Sequence, residues 1–172
     1  MLSRRNLAVL FVAVMLMSAL AGCAAGAVEA PEREVELSMD AAMSGQEKAM
    51  AGLLTGQVEW TEEEFSSLVT ALLQQNAGDV PLDSVTAWFT PDALYLRATL
   101  ADGTQVDLAG NVMVENNRVA VDLVGASAAG VSIAGPLLGV VEGAINRALD
   151  DDSLGVAASV GTGDGVLMVG LQ

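Results

Sequence analysis

The stretch LYLRATLADGTQVDLAGNVMVENNRVAVDL, residues 94–123, alternates apolar and polar side chains through three runs separated by two turn signals. Leu94, Leu96, Ala98 and Leu100 alternate with Tyr95, Arg97 and Thr99; Val106, Leu108, Val112 and Val114 alternate with Gln105, Asp107, Asn111 and, less cleanly, Met113; Val119, Val121 and Leu123 alternate with Arg118, Ala120 and Asp122. A period of two places one set of side chains on one face of a strand. Asp102-Gly103 and Asn116-Asn117 supply the hairpin turns. Residues 85–90, closed by Pro91-Asp92, add a first strand. The expectation is a four-stranded antiparallel meander, apolar on one face and wet on the other.

An apolar sheet face must be covered, and the flanking segments supply helices. After the meander, Pro136 suits a first helical position, and Leu137, Val140, Val141, Ala144, Ile145, Ala148 and Leu149 follow, with Glu142, Asn146 and Arg147 marking a polar side. Before it, Thr61-Glu62-Glu63-Glu64 reads as a capping box whose acids also favour the positive helix end. Phe65, Leu68, Val69, Leu72 and Leu73 then recur at helical spacing as far as about Gln75. Earlier still, Ser38 opens a pattern in which Met39, Ala42, Met43, Ala49, Met50, Leu53 and Leu54 fall mostly on one side. Gly45 weakens this helix and Thr55-Gly56 stops it. Residues 57–60 read as a short extended piece, and residues 154–160 and 166–171 as a final hairpin turned by residues 161–165. The fold class expected is α+β, a curved antiparallel meander with apolar helices on its concave side.

The N-terminus carries an address. Arg4 and Arg5 precede an apolar run from Leu7 to Leu20, and Ala21-Gly22-Cys23 follows. A basic start, an apolar stretch and small residues before a cut site form a secretory signal. Leu20-Ala21-Gly22-Cys23 resembles the lipobox of bacterial lipoproteins. That resemblance implies cleavage before Cys23, diacylation of its thiol, and a mature protein held by lipid on the extracytoplasmic face of a cell membrane. The competing reading is an uncleaved anchor over residues 7–28, which is long enough to span a bilayer; both put the body outside the cytoplasm. The domain plan is thus a signal over residues 1–22, a lipidated cysteine and flexible tether over 23–37 with four glutamates and Pro31, and one domain over 38–172.

Composition removes most chemistry. The chain has no histidine and one cysteine, so Ser-His-Asp and Cys-His nucleophile systems, histidine zinc ligands and an internal disulfide are all excluded. Acylation of Cys23 would consume the remaining thiol. A carboxylate pair among Glu59, Glu62, Glu63 and Asp107, or a serine paired with Lys48, is all that an enzyme would have, and the expectation is no enzyme, no cofactor and no metal. Asp150-Asp151-Asp152-Ser153 lacks the alternating ligands of a calcium loop. Residues 161–165 lack the lysine and helix of a phosphate loop. Residues 125–129 fall short of a nucleophile elbow and read as a loop between sheet and last helix. Removing residues 1–22, which hold two arginines and no acid, takes the formal charge from -15 to -17. Nucleic acid, a polyanion, is not an expected partner.

The order of helix, residues 56–65 (GQVEWTEEEF), apolar helix, residues 81–85 (PLDSV), residues 90–96 (TPDALYL), meander, apolar helix and hairpin resembles small bacterial envelope proteins related to tubular lipid-binding (TULIP) domains, over about residues 38–172. The resemblance implies a sheet rolled on a helix around an apolar groove that holds acyl chains. Trp60, Phe65, Trp88, Leu137, Val141 and Ile145 are the candidate lining residues, with Trp60, Trp88 and Phe89 at its mouth and the methionines adaptable to an irregular ligand. Each is also the kind of residue that fills a core. The functional expectation is a membrane-anchored lipoprotein that binds or shuttles a lipid or other hydrophobic molecule; the alternative is a closed-core interaction lipoprotein that docks a protein partner. The intact mass of the chain extracted from bacterial membranes should correspond to a start at Cys23 plus acyl chains, with Cys23→Ser leaving the precursor uncut; a wild-type chain retaining residues 1–22 would refute the lipobox.

Overall fold

A computed structural model describes residues 28–76, 82–133, 136–151 and 154–172. The signal segment, Cys23 and residues 24–27, 77–81, 134–135 and 152–153 lie outside the described residues, as does the side chain of Leu137. Helix α1 spans Met39–Thr55, strand β1 Gln57–Thr61, α2 Glu62–Asn76, β2 Leu82–Thr90, β3 Ala93–Leu100, β4 Gln105–Glu115, β5 Arg118–Ala128, β6 Val131–Ile133, α3 Pro136–Leu149, β7 Ala157–Thr162 and β8 Val166–Leu171. These form two antiparallel sheets, one of five strands in the order β2-β3-β4-β5-β6 and one of three in the order β1-β8-β7.

The α+β class and the meander are as the alternation requires, with one correction. The final hairpin pairs with β1, Trp60 opposite Leu167, to make a second sheet. Residues 125–128 are not a loop, because β5 runs on to Ala128 and turns tightly at Ala129 and Gly130, both at positive φ, into β6. Asn116 and Asn117 also take positive φ, as a two-residue hairpin of the right-handed twist demands. Gly110 sits where a Cβ would lie 2.3 Å from the Asp122 carbonyl oxygen, so only glycine permits this strand approach. Beside it the pairing slips from Ala109↔Gly125 to Gly110↔Leu123, leaving Val124 as the extra residue of a bulge.

Polar side chains from a helix bond the backbone along β2, one edge strand of the five-stranded sheet, and along the part of β5 that the short β6 leaves unpaired. Along β2, Phe89 N donates to Glu62 Oε1 (2.7 Å), Ala87 N to Ser66 Oγ (2.8 Å) and Val85 N to Thr70 Oγ1 (3.0 Å), while Gln74 Nε2 donates to Asp83 O (3.4 Å). Four helical residues rise about 6.0 Å, and two strand residues about 6.6 Å. The near match lets residues 62, 66, 70 and 74 meet residues 89, 87, 85 and 83 in step. On the other side, Val121 N donates to Asn146 Oδ1 (2.8 Å), Asn146 Nδ2 returns a bond to Val121 O (2.9 Å), and Leu123 N donates to Glu142 Oε2 (2.9 Å). A buried backbone amide left unpaired costs about 1–3 kcal/mol, so these rungs hold both helices in register.

Between the helices and sheets lies one contiguous apolar core. It contains Phe65, Leu68, Leu72 and Leu73 of α2, Val141, Ala144, Ile145 and Leu149 of α3, and the inward residues of both sheets, Phe89, Leu94, Leu96, Leu108, Leu123, Trp60 and Leu167 among them. Phe65 stacks edge-on to Phe89 at 5.2 Å between centroids and tilts against Trp60 at 6.4 Å.

Helix α1 begins and ends as its sequence signals: Ser38 Oγ accepts from Ala41 N, and Gly56 takes a left-handed C-cap conformation. Its buried face is not the methionine face, however. Ala42, Gly45, Ala49 and Gly52 face inward, whereas Met39, Met43, Met50, Leu53 and Leu54 are exposed, Leu54 to 91%. Close approach is the reason. Trp60 Nε1 donates to the Gly45 carbonyl at 2.8 Å, a Cβ on Gly45 would lie 3.1 Å from Glu64 O, and one on Gly52 would lie 3.0 Å from Gln57 O. Gly45, which weakens the helix as an isolated segment, is what lets it dock. Gly45→Val should lower stability by about 1–3 kcal/mol through overpacking, whereas Gly139→Ala on α3, where a Cβ meets nothing within 4 Å, should raise it by about 0.5–1 kcal/mol; thermal unfolding checks both signs.

Candidate functional site

The capping box forms as its spacing requires: Glu64 N donates to Thr61 Oγ1 (3.2 Å) and Thr61 N to Glu64 Oε2 (3.0 Å). Glu64 also accepts from Lys48 Nζ (2.6 Å) and Ser44 Oγ (2.8 Å), tying α1 to the start of α2. Burial works to raise its pKa, but the bonds from Lys48, Thr61 and Ser44 together outweigh that and hold it below the usual carboxylate value. Glu62, the first residue of α2, is a latch as well as a helix-end charge. Besides the Phe89 amide it accepts Arg33 Nε (3.0 Å) and Nη2 (2.6 Å), and Arg33 further bonds Asp164 Oδ1 (2.9 Å) and the Phe89 carbonyl (2.8 Å). Hydrogen bonding to Glu62 outweighs burial and raises the guanidinium's pKa.

Arg33 belongs to residues 28–37, the described part of the expected tether. This segment has neither helix nor strand, and it is fixed at several points along its course. Val28 O accepts from Ser127 Oγ on β5 (2.8 Å), Arg33 O from Trp88 Nε1 on β2 (2.8 Å), and Ser38 N donates to Ser67 Oγ on α2 (3.1 Å). Ser127 pairs with Asp107, Asp107 with Arg97 and Arg97 with Thr86. The segment is therefore a strap that crosses the outer face of the sheet from β5 to β2. Under it Arg97 forms a two-bond pair with Asp107 and lies 5.5 Å from the centre of the Trp88 ring.

The candidate lining residues divide accordingly. Trp60, Phe65, Val141 and Ile145 are each 2% exposed or less and belong to the common core. Trp88 is also buried, but on the outer face beneath the strap, and Phe89 is fully enclosed. The apolar cleft between α1 and α2, lined by Leu37, Met39, Ala42, Thr70 and Ala71 among others, holds about 170 Å³. Sites for drug-sized ligands run to about 300–1,000 Å³. A depression of about 640 Å³ alongside the strap is lined by Glu32, Glu34, Glu36, Arg33 and Arg97, and so is polar.

Of the four carboxylates singled out from the sequence, Glu62 pairs with Arg33 and Asp107 with Arg97, while Glu59 and Glu63 are exposed. Among the described residues no three acidic or cysteine side chains gather as a metal site, and no helix is long and apolar enough to cross a membrane. Asp150 is exposed and pairs with Arg118 at 3.5 Å. The apolar surface that remains most prominent is the α1 stripe of Met39, Met43, Met50, Leu53 and Leu54. Compared with protein-family models, curated proteins and solved structures, the chain matches none.

A depressed folded-state pKa means that Glu64 contributes stability above the unfolded carboxyl value and loses it as pH falls through the folded one. Glu64→Gln should therefore be about 1 kcal/mol less stable than wild type at pH 7, with the gap narrowing below about pH 4.5. Thermal melts across pH for both chains measure this, and a gap independent of pH would contradict it.

Proposed function

We propose that the mature protein is a lipid-anchored, non-catalytic extracytoplasmic domain that docks an apolar segment of another envelope protein on the outward face of α1. One observation carries this reading: a helix that packs through Ala42, Gly45, Ala49 and Gly52 turns Met39, Met43, Met50, Leu53 and Leu54 to solvent. Contiguous exposed apolar surface of this kind marks an interaction site. Methionine side chains suit it because they repack around an irregular partner. The lipobox supports anchoring and the extracytoplasmic location, and absence of histidine supports a binding role over a catalytic one.

A hydrophobic ligand held between sheet and helices, as the likeness to tubular lipid-binding domains implies, would have to displace Trp60, Phe65, Val141 and Ile145 from the packed core. Opening that core sacrifices about 25 cal/mol for each Å² of apolar surface returned to water. Docking on α1 requires no such rearrangement. Two measurements on the full chain separate the readings. A photo-crosslinking side chain at position 43 or 50 should give a discrete protein adduct in the cell envelope, absent when it is placed at Asp102 on the far hairpin turn. Native mass spectrometry should find no acyl lipid beyond the chains on Cys23. A stoichiometric bound lipid together with no adduct would overturn the proposal in favour of a carrier.

A further inference from the structure

We infer that the edge formed by α3 and the β5–β6 hairpin is the surface that faces the lipid bilayer. The inference rests on acylation of Cys23 and follows from where the strap begins. Four residues separate Cys23 from Val28, so the five steps of chain between them reach at most about 18 Å. Val28 is fixed over β5: its carbonyl accepts from Ser127, and its side chain lies 3.3 Å from where a Cβ on Gly125 would stand. The lipid is thus attached beside β5, not at the end of a long free leash.

Three surfaces lie near that point, and charge separates them. The outer face of the sheet carries the strap with Glu29, Glu32, Glu34 and Glu36, and an acidic face is repelled by anionic headgroups. The inner face is core. The third is the β5 edge, which α3 covers through Glu142 and Asn146, so the outermost surface on that side is the solvent face of α3. Gly139, Val140, Gly143 and Arg147 make up that face within the helix; all are exposed, and it carries one cation, the first acid on that side being Asp150 just past the helix end, where it pairs with Arg118, in a body of net charge -17 once residues 1–22 and their two arginines are removed from -15. Val124, pushed out by the bulge, and Val131, at the start of β6, are each 67% exposed at the same end of the sheet.

Distance sets α1 apart from the attachment point. Leu53, near the end of the methionine stripe, lies beside Gly155, its Cδ2 2.6 Å from where a Cβ on that glycine would stand. The Gly155 carbonyl accepts from Arg118 Nη1, and Arg118 is seven strand residues, about 23 Å, along β5 from Gly125, over which Val28 is fixed.

The test uses the full acylated chain reconstituted in phosphatidylethanolamine and phosphatidylglycerol vesicles containing brominated acyl chains. A fluorophore is attached in separate samples through Val140→Cys on α3 and Leu54→Cys on α1. Most of the fluorescence at position 140 should be quenched and almost none at position 54. Equal quenching, or stronger quenching at 54, in protein whose mass confirms the acyl chains would overturn the orientation while leaving the anchoring intact. A mass without acyl chains would overturn both.

Discussion

The free edges of the five-stranded sheet are the constraint on which the rest of the structure depends. An open edge offers unpaired amides to any passing strand, and this chain bonds the β2 edge and the stretch of β5 beyond β6 by spacing polar side chains four residues apart on a helix. Glu62, Ser66, Thr70 and Gln74 serve β2, and Glu142 and Asn146 serve β5. Once α2 is so fixed, its apolar face can only lie over the inner face of the sheet, and Phe65 meets Phe89. Its N-terminal acid then stands at the sheet corner, where Arg33 brings the strap across. Removal of the Glu62 carboxylate would leave the Phe89 amide and Arg33 without the same acceptor.

That arrangement explains what the surface has left to offer. The interior is filled, β2 and the free stretch of β5 are bonded, the outer face is strapped, and Arg33, Lys48, Arg97 and Arg118 are each paired with acids. Helix α1 is attached by small residues to the outside of this assembly, and its size is inverted relative to an ordinary amphipathic helix: alanine and glycine inward, methionine and leucine outward. A helix whose large apolar residues were wanted for folding would present them to the core. Here folding uses the small ones, which leaves the large ones exposed.

Much of the fold was legible in the sequence because its signals are local. Alternation gave the meander, Asn116-Asn117 its turn, Thr61 and Glu64 the helix start, and Ser38 and Gly56 the limits of α1. What could not be read depends on contacts between distant segments. Nothing near residues 166–171 says that they pair with residues 57–61 rather than with the meander, and a glycine that lowers helix propensity at position 45 gives no sign that a tryptophan indole will reach its carbonyl. The strap was hidden for the same reason, since Arg33 among glutamates and small residues reads as a tether until Glu62, Asp164 and Phe89 are brought around it. One local signal of the covered edge does exist: Glu62, Ser66, Thr70 and Gln74 form a polar row at helical spacing on an otherwise apolar helix. Such a row has a use only if something polar, such as a strand edge, lies beside it.

The account stands on a closed interior and an open α1 face, and methyl nuclear magnetic resonance of the folded body in the presence of a soluble paramagnetic chelate tests both together. The methyl signals of Met39, Met43, Met50, Leu53 and Leu54 should broaden strongly, while those of Leu73, Leu94, Leu96, Val141 and Ile145 remain sharp. Broadening of the interior methyl groups with protection of the methionines would contradict it, because that is the pattern of an open groove covered from outside by α1.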